Sequence, residues 1–518
     1  MNIGTISAKW AYHEPGREAI IDSPSGRRVT FGQLDESVRR LANGLRDGIG
    51  LDLGDRVAIL SKNAAEYQET FLACGRAGLI AQPLNWRLGA AELARIVADG
   101  EPRALIVSDD LVATGDEIAH LADIGRLLQY GPGGDGTFED LKAGASAEEP
   151  LWSSSVGDDD PFFILYTGGT TGESKGALHS HKSCFMGMLN QTVAERVVPS
   201  DVYLLTGQMF HIPVVLSMNY LAHGCPVVLM NFEAKQALEV IEAERVSAFL
   251  GITTMLNWMM AVEGFERYDL SSLRNIQYGG GPMPSTVVRA ALDSFPCTLI
   301  QGYGQTEGTT MCFLSQEDHA KAIAGNRPER LRSCGREGFV TTVRLRDANG
   351  SETPRDGKTA GEIWVRSEAN MLEYWRKPEI TAATLVDGWM RTGDLATWDD
   401  EGYVFIVDRA KDMIISGGEN IYSVQVEEAV SKHEAVLECA VVGVPDEVWG
   451  ESVAAFVVLK PSHHATEKEI IEAARANLAS YQKPRQVHFV DSLPKAVTGK
   501  VLKRKLRDPF WAELDTQV

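Results

Sequence analysis

The chain has 518 residues, 44% of them hydrophobic, and a formal net charge of −21. That length can bury a large core and implies more than one domain, while the acidic balance excludes general affinity for nucleic acid or anionic lipid, which needs clustered Lys and Arg. Seven cysteines, at 74, 184, 225, 297, 312, 334 and 439, form no C-x-x-C pair, so neither a zinc site nor a disulfide framework is signalled and a reducing cytoplasm is the expected home.

The start, Met1-Asn-Ile-Gly-Thr-Ile-Ser, lacks the basic-then-apolar pattern of a signal peptide. From Thr30 to Leu45 the spacing of Leu34, Val38, Leu41 and Leu45 predicts an amphipathic helix, followed by a strand at Arg56–Leu60. Gly131–Gly136 and Ser146–Asp160 read as an exposed excursion. Phe162–Tyr166 predicts a strand that runs into Thr167-Gly168-Gly169-Thr170-Thr171-Gly172-Glu-Ser-Lys175. Its glycines let backbone amides approach an anion, its hydroxyls add donors and Lys175 adds charge. The Walker pattern puts Lys directly after the second glycine. Here Lys175 follows Gly172 by three positions, so this is a different phosphate loop.

Ile212–Met230 is the most apolar long run, but Asn219 and His223 interrupt it, so it reads as a buried helix and strand and not a membrane span. Ala234–Glu244 predicts a helix and Ala248–Ile252 a strand. This alternation indicates a layered α/β protein. From about Val340 the texture becomes β-rich, with short strands at Val343–Leu345, Gly361–Arg366 and Tyr403–Val407. The polar segment Asp408–Asp412 interrupts it. A helix begun by Ser423 then spans Val424–Lys432, with strands at Ala440–Val442 and Val453–Leu459. The domain boundary is placed near Lys411, giving domains 1–410 and 411–518. Near the C-terminus Lys483, Arg485, Lys495, Lys500, Lys503, Arg504, Lys505 and Arg507 are opposed in sequence only by Asp491.

Eight further motifs follow the phosphate loop in order: Phe210-His211-Ile-Pro213, Tyr278-Gly279-Gly280-Gly281, Gly302-Tyr303-Gly304-Gln-Thr306-Glu307, Gly361-Glu-Ile-Trp, Arg391-Thr-Gly-Asp394, Asp408-Arg409-Ala-Lys411-Asp412, Ser416-Gly417-Gly418-Glu419-Asn420 and Pro494-Lys-Ala-Val-Thr-Gly-Lys500. With them the chain resembles the acyl-CoA synthetases of the adenylate-forming superfamily, from about residue 10 to Arg507. The resemblance implies a large N-terminal domain of layered α/β subdomains plus a distorted β-barrel, and a small mobile C-terminal α+β domain. It also implies a two-step reaction. A carboxylate attacks the α-phosphate of ATP, and a thiol then displaces AMP.

By the same resemblance Thr306 offers a hydroxyl to the α-phosphate and Glu307 a carboxylate to Mg²⁺, a hard cation that prefers oxygen. Asp394 takes the ribose hydroxyls with Arg409 nearby. Tyr303, Gly304 and the backbone of Gly279, Gly280 and Gly281 border the nucleotide, with Gly281 leaving a slightly wider wall. Lys500 reaches the carboxylate and α-phosphate oxygens during adenylation. Rotation about a hinge at Lys411 then withdraws it and presents Gly417, Gly418 and Glu419 to the pantetheine channel. Trp449, Tyr481, Lys483 and Arg485 match positions that contact coenzyme A in some relatives, with plain packing as the alternative for Trp449.

His211 stands where amino-acid-activating relatives place an aspartate, which disfavours an α-amino acid. The candidate acyl pocket is Met209, Phe210, His211, Met255, Trp258, Met259, Met311 and Phe313, an apolar and methionine-rich set that could equally be core. The function expected is ATP- and Mg²⁺-dependent ligation of a hydrophobic acid to coenzyme A. The alternatives are delivery to a carrier-protein phosphopantetheine thiol, or a non-catalytic nucleotide sensor. Which acid is used and the oligomeric state are left open.

Overall fold

In the computed structural model, which describes residues 2–23, 25–167, 174–281, 283–417, 419–476, 478–495 and 501–512, the central strands send alternate side chains into different cores. Along strand Arg56–Leu60, Val57 and Ile59 join one cluster while Ala58 and Leu60 join another on the opposite face. The first cluster also holds Tyr203, Leu205, Val227 and Leu229 from a second sheet, so two sheets share it. Helices Phe31–Asn43, Ala65–Ala77 and Pro213–Ala222 contribute to the same core. In Ala65–Ala77 every residue except Glu66 is buried, as expected of a helix enclosed on all sides. The layered α/β reading is correct.

One sheet has seven strands in the order Glu373–Tyr374, Lys175–Ser180, Pro161–Thr167, Ile80–Leu84, Arg56–Leu60, Ala104–Ser108, Leu127–Tyr130. The other has nine and ends in Asn275–Gly279, Thr298–Gln305, Thr309–Leu314 and Arg336–Glu337. In both, the inner strands are parallel and an antiparallel hairpin closes the edge. A third sheet, curled like a half-barrel, contains Thr341–Arg346, Gly361–Ser367, Trp389–Trp398, Leu385–Val386 and Val404–Arg409.

The chain divides into two compact units, Met1–Val343 with Val365–Met390, and Arg344–Trp364 with Arg391–Val518. The crossings therefore fall within strands of the third sheet, and Lys411 lies inside the second unit. That unit carries a five-stranded sheet centred on Gly450–Leu459 and Val436–Asp446, again with alternation: Val441 and Val453 enter one core, Ala440, Val442 and Phe456 the other. No helix among the described residues is long and apolar enough to cross a membrane.

Local signals located elements well. Thr30 caps helix Phe31–Asn43 and Gln33 returns the bond to the Thr30 amide, a reciprocal box that fixes the helix start. Pro213–Ala222 and Val227–Leu229 are the buried helix and strand expected within Ile212–Met230. Ser146–Asp160 is largely exposed, as expected, but tethered: Asn43 Nδ2 donates to the carbonyls of Ser146 (2.8 Å) and Glu148 (3.0 Å), and Glu149 pairs with Arg76 at 2.8 Å. One reading needs correction, since the basic C-terminal run is not bare charge. Lys495 pairs with Glu438 at 2.5 Å, Lys503 with Glu427 at 2.8 Å and Arg504 with Asp508 at 2.7 Å.

Arg76 is 1% exposed and joins Asp35 (2.7 Å) as well as Glu149, so it binds a helix to the 146–160 segment. Removing one partner of such a buried set leaves charge without compensation. Arg76→Met is expected to cost about 3 kcal/mol in denaturant unfolding, whereas Arg267→Met, at an 84% exposed side chain, changes stability by less than about 0.5 kcal/mol.

Candidate active site

The strands that flank the expected phosphate loop, Pro161–Thr167 and Lys175–Ser180, pair antiparallel with Thr167 directly opposite Lys175. Gly168, Gly169, Thr170, Thr171 and Gly172 lie outside the described residues, as do Gly418 and Lys500. Ahead of the turn the Tyr166 hydroxyl donates to Asp99 Oδ2 at 2.7 Å, and a Cβ at Gly176 would meet the Tyr166 ring at 3.0 Å. Lys175 Nζ stands 5.5 Å from the centre of the Tyr374 ring, within cation–π range.

The two motifs expected to border the nucleotide lie at the carboxyl ends of adjacent parallel strands, where open α/β sheets bind ligands. Gly279 faces Gly302 across the ladder, and a Cβ on Gly279 would lie 2.2 Å from the Gly302 carbonyl oxygen. Gly304 is constrained likewise, its Cβ position being 1.9 Å from the Thr309 carbonyl. These two glycines are therefore demanded by strand packing itself. Gly281 has nothing within 4 Å of a Cβ, so there the glycine leaves open space. Tyr303 is buried, and the Tyr278 hydroxyl bonds His319 Nε2 at 2.8 Å. His319 Nδ1 lies 2.8 Å from the Ser315 carbonyl and must donate to it, so Nε2 accepts from Tyr278.

Thr306 and Glu307 are half-buried and held from both sides. His179 Nε2 donates to the Thr306 carbonyl at 2.8 Å. The Met371 amide donates to the Glu307 carbonyl at 2.7 Å, and the Tyr374 hydroxyl donates to Glu307 Oε1 at 2.7 Å. None of these holders was singled out in the sequence, where a lone His or Tyr has no diagnostic spacing. The His179 ring is fully buried, stacked on Phe163 at 4.8 Å, and its Nδ1 takes the Ser183 hydroxyl at 3.1 Å.

The segment carrying His211 is fixed by Asn63, another residue the sequence did not reveal. Its Nδ2 donates to the carbonyls of Gly207 (2.7 Å) and Met230 (2.9 Å), and its Oδ1 accepts from the Met209 amide at 2.9 Å. Phe210 meets His211 edge-on at 4.5 Å. Met209, Met259 and Met311 have no exposed surface, and Met209 and Met259 pack into different cores. Met255 is half-buried and Phe313 is buried. On helix Thr253–Met260 the residues Leu256 and Met259 take the inward face, which leaves Trp258 60% exposed and stacked with Phe232.

In the second unit Asp394 is buried and cross-strand from Arg409, whose Nε lies 3.0 Å from Oδ1. Thr392 Oγ1 accepts from the Asp394 amide at 3.1 Å and donates to the Ile363 carbonyl at 2.9 Å. At Asp408, Ser423 donates both its amide and its hydroxyl, and Lys503 Nζ reaches Ser423 Oγ at 2.6 Å. Arg507 donates to the Lys411 carbonyl at 3.1 Å. Gly417 has φ +62 and lies under Trp449, where a Cβ would come within 2.5 Å of the indole ring. The Arg485 guanidinium lies over the same indole, 5.1 Å from the Trp449 ring centre. Tyr481 is exposed, Lys483 is half-buried and Glu419 is exposed opposite Ser416.

No group of three or more His, Cys, Asp or Glu among the described residues could cage a metal. A single carboxylate beside a hydroxyl fits Mg²⁺ bound largely through substrate phosphates and water, which is how that ion is ordinarily held.

Comparison with known proteins identifies the family. The pattern of AMP-binding enzymes matches residues 7–375, and that of the AMP-binding enzyme C-terminal domain matches 425–500. The chain belongs to the AMP-binding enzyme family. It is 38% identical to a feruloyl-CoA synthase of an Amycolatopsis species over 94% of both chains, and 34% identical to a long-chain-fatty-acid–CoA ligase of Mycobacterium tuberculosis over 99% of both. ATP-bound MatB of Rhodopseudomonas palustris superposes with a TM-score of 0.87 at 29% identity, covering 100% of each chain.

Burial holds the imidazoles of His179 and His181 down at about 4, against an ordinary 6.5; the Thr306 carbonyl opposes this weakly at His179, and Asp160 does so at His181. Between those values the unfolded chain binds protons that the folded chain does not, so the stabilisation is complete above 6.5 and is lost as pH falls toward 4. Each site contributes up to roughly 3 kcal/mol over that window. Melting temperature is expected to fall across it, and His179→Gln, which keeps a donor for Thr306 but does not titrate, is expected to shrink the fall.

Proposed function

We propose that this chain ligates a hydrophobic carboxylic acid to coenzyme A through an acyl-adenylate, releasing AMP and pyrophosphate. The observation that carries this reading is the Thr306–Glu307 pair, pinned by His179 and by the strand that meets Lys175. An acid oxygen attacks the α-phosphorus of ATP and the bond to pyrophosphate breaks. The thiolate of coenzyme A then attacks the acyl carbon, and the bond to AMP breaks.

In this scheme the Thr306 hydroxyl and the phosphate loop with Lys175 orient the polyphosphate, and Asp394 with Arg409 takes the ribose. Glu307 would hold Mg²⁺, which supplies positive charge beside the phosphate oxygens. Lys500 supplies a second cation at the reacting oxygens. The second step uses Gly417, Glu419, Trp449, Tyr481, Lys483 and Arg485 toward coenzyme A, and Lys411 is the hinge about which the C-terminal segment reorients. The close approach of Gly417, Trp449 and Arg485 supports that assignment, since it gathers a bare backbone, an aromatic face and a cation.

Met209, Phe210, His211 and Met311 support an apolar acid, and none of them offers the anion that a substrate ammonium requires. The relatives named for ferulate and long-chain fatty acids point the same way. The test is a panel of aryl, fatty and α-amino acids with ATP, Mg²⁺ and either coenzyme A or a phosphopantetheinylated carrier protein. Hydrophobic acids with coenzyme A are expected to exceed every amino acid by at least about tenfold in kcat/KM, a difference of about 1.4 kcal/mol. An amino acid as best substrate, or thioester on the carrier alone, would contradict the proposal.

A further inference from the structure

The Tyr374 side chain touches both charged groups that flank the polyphosphate site. It belongs to the short strand Glu373–Tyr374, which pairs with Lys175–Ser180 so that Tyr374 lies opposite Ala177. That strand is anchored along its length. The Leu372 amide donates to the Leu178 carbonyl and the Trp375 amide to the Gly176 carbonyl, each at 2.7 Å, while the Trp375 indole donates to the Asp99 carbonyl at 3.1 Å. Tyr374 is 8% exposed, so its hydroxyl is delivered to a fixed point. There it donates to Glu307 Oε1, and the same strap holds the Glu307 backbone through Met371. On its ring face stands the Lys175 ammonium.

An ionised carboxylate only accepts, and on a half-buried loop it can swing about its side-chain torsions unless something holds one oxygen. A hydroxyl on one oxygen fixes the carboxylate plane and thereby aims the whole group, as partners of metal ligands commonly do. We infer that Tyr374 is a positioning residue for Glu307, setting the orientation in which that carboxylate meets a divalent cation. The inference rests on Glu307 being the metal-holding carboxylate and extends it to the residue that aims it. The aromatic ring is a separate asset, since it faces Lys175 whether or not the hydroxyl is present.

The experiment uses the full chain with a non-hydrolysable ATP analogue and follows Mn²⁺ binding by the paramagnetic resonance signal of the free ion. Tyr374→Phe keeps the ring and removes the donor. It is expected to weaken Mn²⁺ binding about tenfold, with the melting temperature and metal-free analogue binding close to those of the parent. Glu307→Gln is the reference and is expected to weaken Mn²⁺ binding at least as much. If Tyr374→Phe binds Mn²⁺ like the parent while Glu307→Gln does not, Tyr374 has no positioning role and the metal assignment survives. If Glu307→Gln also binds like the parent, the metal assignment fails and the inference falls with it. Should Tyr374→Phe fold poorly, 4-fluorophenylalanine incorporated at position 374 fills the hydroxyl's space without donating. The same tenfold loss then supports the role, and parent-like binding overturns it.

Discussion

Two anions have to meet on a chain that is itself strongly acidic. A carboxylate approaching a polyphosphate is repelled by several kcal/mol at contact, even when the surroundings screen moderately well; two unit charges 4 Å apart at an effective dielectric of 20 interact by about 4 kcal/mol. With a net charge of −21 the protein cannot offset this through its overall field. Positive charge must instead be local and fixed. The site carboxylates must also be restrained, because a free one would add to the repulsion. Two carboxylates with proposed roles are restrained, each within its own unit: Asp394 lies against Arg409, and Glu307 accepts the Tyr374 hydroxyl.

Fixing those groups falls to polar residues with almost no exposed surface. His179 reaches across from the phosphate-loop hairpin to the Thr306 carbonyl, Asn63 ties three backbone segments around Met209, and Ser423 bridges Asp408 to Lys503. Each makes bonds that cannot be exchanged for water without cost, so each defines one loop geometry among many. The glycines act in the complementary way. At Gly279 and Gly304 neighbouring backbone occupies the space a side chain would need, so these strand ends pack closely.

Much of this was legible in the sequence wherever the cause is local or chemical. The Thr30 cap, the strand Arg56–Leu60 and the apolar helix and strand around Asn219 follow from spacing and capping over a few residues. Thr306, Glu307 and Asp394 were singled out because their motifs offer the residue types that the proposed chemistry calls for. Their holders were not, since the relation between His179 and Thr306 spans 127 positions and has no periodicity to betray it. The same limit explains strand Val436–Asp446. Only its core around Ala440–Val442 reads as β from sequence, and the pairing with Gly450–Leu459 extends it in both directions. Charge was misread for a related reason: the partners of Lys495 and Lys503 are Glu438 and Glu427, far upstream.

In an adenylate-forming reaction the acid is activated by bonding one of its own oxygens to the α-phosphorus. Carrying out the complete reaction with an acid labelled with ¹⁸O in both carboxylate oxygens, and weighing the products by mass spectrometry, tests it most directly. The expected products carry one ¹⁸O in each AMP, one in each thioester and none in pyrophosphate. Label in inorganic phosphate with ADP as product, or AMP without label, would contradict it.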